Sequence, residues 1–418
     1  MRASLSCRFS RSARAPQYLP WWPALVLWPG LCHPALAFEV FEGFQVHGFL
    51  SQGYFLTTNN NLFGSSERGG SLDFTEIGIN ASWAPRPNLQ LAVQFLSRRA
   101  GEAAEGEPEF DFGLLDYTAV ATEDRRIGVR FGRVRFPFGL YNDTRDVAFT
   151  RPSILLPQSI YNERTRELAI SGDGIMLYGE ERSTWGNLAL ELGPVLARVD
   201  NENSELALLF GDFPGDLENR WSFIGRLMYS TPREALRLAV TGVRLETDYN
   251  PRLAFSDDLG PGKDLFEPVI FSAQYNAESW SLTGEYARRP IKHEGFLVPG
   301  FDFDIVGESY YIQGIYRIDP HWEMVVRYDV LYSDVDDRDG TKTEANSQGV
   351  TPSHLLFAKD WTVGVRYNIT PSLMARAEYH NVYGGTLFLF PQDNPDHPDL
   401  SALDKKWDIF ALLFSYRF

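Results

Sequence analysis

Eight arginines fall at one parity inside runs that otherwise alternate between apolar and polar residues. They are Arg98, Arg130, Arg226, Arg237, Arg317, Arg327, Arg366 and Arg376. In "WTVGVRYNI", Trp361, Val363, Val365, Tyr367 and Ile369 alternate with Thr362, Arg366 and Asn368. A guanidinium offers five N–H donors in a fixed fork, suited to carboxylate, phosphate or carbonyl oxygen. The same parity carries Glu76, Glu285, Glu323, Asp329 and Glu378. Such a face can hold or filter small charged solutes.

A second concentration of charge lies in 136–167, "FPFGLYNDTRDVAFTRPSILLPQSIYNERTRE". Arg145, Arg151, Arg164 and Arg166 balance Asp143, Asp146, Glu163 and Glu167, and the segment contains no lysine. It also carries Ile154, Leu155, Leu156 and Ile160, which a freely solvated connector does not favour. Connectors of this length usually have a function of their own.

Catalytic and metal chemistry find little support. Beyond residue 37 the histidines are His47, His293, His321, His354, His380 and His397, and none sits in a nucleophile motif. His380 and Glu378 share a strand face, as an ordinary lining pair rather than a dyad. "DVDDRDG" resembles a calcium loop, but with Gly340 at its glycine position the first and twelfth positions are Val335 and Asn346, where carboxylates are needed. The two cysteines, Cys7 and Cys32, both precede residue 38, so no disulfide or thiol chemistry is expected downstream. The reading is of a protein that is not an enzyme and has no cofactor or metal site.

The elements that must position these residues are strands. "TEIGINASW", "LQLAVQFLSR", "WSFIGRLMY" and "WEMVVRYDV" all repeat with a period of two. Their connectors alternate in length. Turn-like joins at 85–88, 122–125, 231–234, 277–278, 319–321 and 370–372 separate long polar ones at 57–70, 100–109, 136–167, 246–264, 290–306, 333–357 and 383–405. That asymmetry predicts an all-β fold, a transmembrane antiparallel β-barrel with short periplasmic turns and long extracellular loops. The count comes to about 16 strands. Residues 193–219 blur the pattern, since "ELALLF" fits strand or loop, and leave about 14 or about 18 open. A soluble β-sandwich explains the alternation but not the connector asymmetry.

The beginning of the chain reads as an export signal, residues 1–37. Arg2, Arg8, Arg11 and Arg14 precede "WWPALVLWPGLC" and a small-x-small site at Ala35-Leu36-Ala37. Residues 38–418 would form the barrel. They hold 35 Lys and Arg against 55 Asp and Glu, a net charge of −20, which disfavours nucleic acid as a partner. The chain ends on "IFALLFSYRF", with Phe410, Leu412, Phe414, Tyr416 and Phe418 at one parity. A closed barrel explains why an apolar strand runs to the last residue: it pairs with the first strand and leaves no edge.

The layout, together with "GRVRFPFGLYNDTRDVAF" and "WDIFALLFSYRF", resembles the Gram-negative general and substrate-selective porins, and among them the phosphate-selective porins O and P. The resemblance implies an outer-membrane channel for passive diffusion of small hydrophilic solutes, with an anion preference. It implies that the third long loop, 136–167, folds inward to constrict the pore, with Arg145, Arg151, Arg164, Arg166, Asp143 and Asp146 at the constriction. The eight strand arginines and Glu378 would line the pore. Phe414, Tyr416 and Phe418 resemble the assembly signal read by the barrel assembly machinery. Implied partners are outer-membrane lipid, lipopolysaccharide and two further copies in a homotrimer. Strongly anion-selective relatives are expected to carry lysines at the approach, and this loop has none. The loop arginines are expected to face the opposite wall with the acids near the lip, giving a transverse field. Small inward residues (Gly78, Asn80, Ser82, Ser222, Thr241, Ser281, Thr283, Gly364) predict a water-filled lumen. The alternatives are a plugged structural or adhesive barrel and a barrel enzyme.

Overall fold

The computed structural model describes residues 38–209, 213–252, 259–297, 301–349, 351–385, 393–394 and 402–418. The predicted export signal, His397 and most of the acidic stretch 390–400 lie outside the described residues. The strand segments begin with β1 (Phe38–Phe41), β2 (Phe44–Thr57), β3 (Ser71–Arg86), β4 (Leu89–Ala100), β5 (Glu105–Ala121) and β6 (Arg125–Arg135). Next come β7 (Ser171–Ser183), β8 (Gly186–Ala197), β9 (Asp216–Asn219), β10 (Ser222–Ser230), β11 (Leu236–Asn250), β12 (Gly262–Phe266) and β13 (Val269–Asn276). The last six are β14 (Trp280–Glu294), β15 (Phe303–Arg317), β16 (Trp322–Tyr332), β17 (Phe357–Thr370), β18 (Leu373–Gly384) and β19 (Lys406–Arg417).

These segments make a closed antiparallel barrel of sixteen strands. Segments β9 and β10 are one strand broken at Arg220 and Trp221, since both pair with β11. Likewise β12 and β13 both pair with β11 and β14. Closure is between β19 and β2, from Ile409 opposite Thr57 to Arg417 opposite Phe49. The short β1 pairs with β2 just beyond that seam, Phe38 opposite Val46. At the seam Phe418 exchanges backbone hydrogen bonds with Gly48 (3.0 and 3.2 Å). The Phe418 ring lies over Gly48, where a Cβ would come within 2.4 Å of it, so any side chain there would displace the ring.

Connector lengths follow the expected asymmetry, with two differences. The long connector expected at 100–109 is mostly strand, because β4 and β5 extend past their neighbours and leave only 101–104. The first five residues of "ELALLF" belong to neither a strand nor an irregular loop. They lie in helix α2 (Glu202–Leu209), started by Asn201, whose side chain accepts from Ser204 N at 2.9 Å, and Phe210 lies outside the described residues.

Each strand turns one parity outward. Phe95, Phe131, Leu177, Phe271, Ile312, Trp361 and Phe414 are all exposed, at 51% to 61%. A belt of this size is a lipid-facing surface. Aromatics ring its short-turn edge: Trp83, Tyr117, Trp185, Tyr275, Trp280, Tyr316, Trp322 and Tyr367 are all exposed there.

Candidate functional site: the loop within the barrel

The chain leaves β6 at Arg135 and reaches β7 through the short helix α1 (Arg166–Ile170). Between them it folds into the lumen. The neck is stitched by Phe136 N donating to Ile170 O at 3.1 Å. Asn142 Nδ2 adds bonds to Phe136 O (3.0 Å) and Ala169 O (2.7 Å). Both ends of the loop are thereby held together irrespective of what lies between.

Wall carboxylates serve as its sockets. Glu76 on β3 takes both arms of Arg151, at 3.2 and 2.6 Å. Glu285 on β14 accepts from Tyr161 Oη at 2.6 Å and from Leu140 N at 3.1 Å. Asp329 on β16 accepts from Ser159 N at 3.3 Å, and Glu378 on β18 accepts from Ile154 N and Leu155 N. Wall arginines grip the loop from the other direction. Arg226 donates to Gly139 O (2.8 Å) and Asp143 (2.7 Å), Arg327 to Ser153 Oγ (2.8 Å), and Arg366 to Phe149 O (3.3 Å). Arg376 donates to Arg151 O. The apolar middle is buried against the wall: Ile154 and Leu155 pack with Met374, Val382, Ala411 and Leu413.

Within the loop and its base, acids and arginines neutralise one another. Glu163 binds Arg98 at 2.6 Å and Arg145 at 2.8 Å. Asp146 binds Arg166 and Arg135, and Arg135 also binds Asp111. Burial alone would push Glu163 up, but Arg98, Arg145 and Arg166 outweigh it and hold its carboxyl down at about 2. Burial works against the charge of Asp146 too, yet Arg135 and Arg166 keep it well below the usual carboxylate range.

This corrects the expected transverse field. Asp146 is buried in the lumen, not at the lip, and Arg145, Arg151 and Arg166 each meet a carboxylate. Of the six constriction residues, Arg164 alone has no ion pair among the described residues. The small inward residues also play a different part. Ser222, Thr241, Ser281 and Thr283 are buried, and so are Glu76, Gln94, Ile270, Glu285, Gln313, Arg327, Thr362, Arg376 and Ala411 around the circuit. Of the small inward residues, Thr283 meets the loop directly, through Tyr141 Oη at 3.3 Å.

The strand arginines turn inward as their parity predicts, with one diverted. Arg317 folds over the neighbouring turn and donates to Ala277 O (2.7 Å) and Trp280 O (3.0 Å). Arg130 meets Asp116 (3.2 Å) and Glu191 (2.8 Å), and Arg237 bonds Gln274 at 3.2 Å. Asp111 had no signal in the alternation, because a bulge opposite Gln94 and Phe95 adds one residue to β5 and reverses the parity there. Arg135 is the last residue of β6, at the parity opposite to Arg130. Glu285 was legible as an inward acid, but its loop partners were not, and Glu191 was not among the acids singled out. Phe414 and Phe418 point outward, exposed, and Tyr416 is half-buried beside them.

No protein-family model matches this chain, and no curated protein matches it. Solved structures do. Over 92% of this chain and 100% of the other, it superposes on the outer-membrane expressed OmpT of Vibrio cholerae with a TM-score of 0.54 at 11% identity. The outer membrane channel DcaP of Acinetobacter baumannii gives 0.53 at 11% identity, over 91% and 99%. Salmonella typhi OmpF, in a complex with daunomycin, gives 0.54 at 12% identity, over 90% and 97%. The chain thus has the fold of a sixteen-stranded outer-membrane porin. The likeness to the phosphate-selective subfamily finds no counterpart among these three.

Proposed function

We propose that this protein is an outer-membrane channel for passive diffusion of small hydrophilic solutes, exported by removal of residues 1–37. Its lumen is narrowed by loop 136–167. The observation that carries the reading is the way the loop is held. A permanent plug is best built from apolar packing without buried charge, since buried ion pairs add little net stability. This loop is instead tied to the wall by carboxylates and guanidiniums, which bind reversibly. The short-turn end faces the periplasm and the long loops face outward.

An anion preference is part of the proposal. Arg327, Arg366 and Arg376 meet loop carbonyls and hydroxyls rather than carboxylates among the described residues. Homotrimeric assembly is proposed as well; a trimer form of Vibrio cholerae OmpT superposes with a TM-score of 0.54 at 11% identity, over 90% of this chain and 99% of that one. Lipid, lipopolysaccharide and the barrel assembly machinery complete the proposed partners.

The second reading, a plugged structural barrel, is favoured by the burial of the wall at mid-height. Single-channel recording in planar bilayers, with reversal potentials in a salt gradient, decides between them. Discrete conductance steps support the channel. Silence across voltage and from pH 8 to pH 3 sinks it. Assembly has its own test: Phe418→Asp places a charge on the lipid face at the seam and should cut folded yield severalfold, as heat-modifiable migration on gels would report. Undiminished yield would overturn the role given to Phe414, Tyr416 and Phe418.

A further inference from the structure

A buried cluster of ionisable side chains sits behind the apolar middle of the loop and has no part in the lining described above. His380 on β18 lies between two carboxylates. Its Nδ1 is 2.9 Å from Asp360 Oδ2, and its Nε2 is 3.5 Å from Glu378 Oε2. Thr362 Oγ1 donates to the same Asp360 oxygen at 2.8 Å, fixing that carboxylate. All four groups are buried. A neutral imidazole carries one N–H and one lone pair, so in this position it would aim a lone pair at a carboxylate. An imidazolium donates to both. The geometry therefore fits a ring that presents an N–H to each carboxylate.

Glu378 faces two ways. Its Oε1 accepts from Ile154 N, while its Oε2 faces His380 and also accepts from Leu155 N at 3.5 Å, so the carboxylate joins the ring to the residues that seat the loop on the wall. Only an ionised carboxylate accepts on every side. Once protonated, it must donate from one oxygen, and the loop N–H groups next to it need acceptors. The surroundings leave it little alternative. Arg327 and Asp329 approach from β16, Asp360 from β17, Arg376 from β18 and Arg151 from the loop, while β19 offers only Ile409 and Ala411.

We propose that Glu378, kept ionised by His380, is the latch that holds the loop shut, and that protonating Glu378 releases the loop and opens the lumen to acid. This rests on the channel reading for its physiological use, but not for its chemistry. The docked loop binds fewer protons at Glu378 than the released loop does. Acid therefore favours release, and removing the His380 cation moves release to higher pH.

Residues 38–418 contain no cysteine, so Ser153→Cys, a near-isosteric change beside Ile154 at a fully buried position, introduces a single reporter thiol. Its reaction with 4,4′-dithiodipyridine, which attacks thiols at acid and neutral pH, is followed from pH 8 to pH 3 in the folded barrel. Rates are normalised to a free thiol at each pH. The parent should label at least tenfold faster in acid. Adding His380→Gln should move the midpoint upward by a pH unit or more. Adding Glu378→Gln should make labelling fast and independent of pH. Identical profiles in the parent and Glu378→Gln would overturn the latch. Should Glu378→Gln fail to assemble, an unshifted profile in His380→Gln would overturn it equally. Labelling needs no ion current, so a barrel that releases its loop in acid yet never conducts would defeat the channel reading and leave the latch standing.

Discussion

The two sides of the lumen treat arginine in opposite ways. On β5 to β10 guanidiniums meet carboxylates: Arg130 with Asp116 and Glu191, Arg226 with Glu191 and Asp143, Arg135 with Asp111 and Asp146. On β16 to β18, Arg327, Arg366 and Arg376 meet hydroxyl, amide and carbonyl oxygen from Ser153, Gln313, Asn368, Phe149 and Arg151. The first side is neutralised by carboxylates, from the wall and from the loop residues Asp143 and Asp146. The second keeps its charge and takes part of its acceptors from the loop. Both walls hold the loop, one through paired charge and the other through arginines with no ion-paired acid among the described residues.

The largest effect that would break this contrast comes from removing the apolar seat. Deleting Ile154 to Leu156 takes away the packing on Met374, Val382 and Leu413. Conductance in planar bilayers should rise severalfold; an unchanged value would mean the narrowest point lies elsewhere.

Next come the loop's two best-paired arginines. Arg151→Ala leaves Glu76 buried, with no other cation within ion-pair distance among the described residues, a cost of about 3–5 kcal/mol. Arg145→Ala leaves Glu163 its bond to Arg98 and should cost clearly less. The heat-modifiable transition should fall further for Arg151→Ala, and the reverse order would show that the wall sockets are not what seats the loop. Removing both should also shift the reversal potential toward cations.

A smaller effect distinguishes the two walls by charge. Arg366→Gln removes a cation that has no ion-paired acid among the described residues, so it should shift the reversal potential toward cations with little change in thermal stability. Arg226→Gln strands Asp143, leaves Glu191 with Arg130 alone, and should lower stability first. Equal behaviour of the two variants would erase the contrast.

The smallest effect is a pH dependence. The carboxyl of Glu163 is held down at about 2, so its pairing stabilises the fold fully above the ordinary glutamate value near ~4.3 and is lost as pH falls through about 2. The gap in thermal midpoint between the parent and Glu163→Gln should be constant from pH 8 to pH 5 and close toward pH 2. A gap already closed at pH 5 would place the release of Arg98 and Arg145 ahead of the Glu378 latch.

Much of this was legible in the sequence, for local reasons. A period of two survives any tertiary context, so parity alone assigned Arg98, Arg226, Arg327 and Glu378 to the lumen and Phe414 to the outside. Connector asymmetry gave closure and sidedness. Parity fails where the chain adds a residue, as at Asp111. It also fails where a side chain bends back, as Arg317 does. Pairing partners were beyond reach because they depend on which strands the barrel brings together. Nothing near Arg151 in the sequence points to Glu76, and the role of His380 appears only once β17 stands beside β18.

The same distances set a timetable for assembly. Arg151 finds Glu76 on a strand made 75 residues earlier, so that bond can form while the sheet is still open. Ile154 must wait for Glu378, made 224 residues later, on a strand that joins only as the sheet comes round on itself. Contacts of such long range form late. Closing the barrel and seating the loop become a single final event.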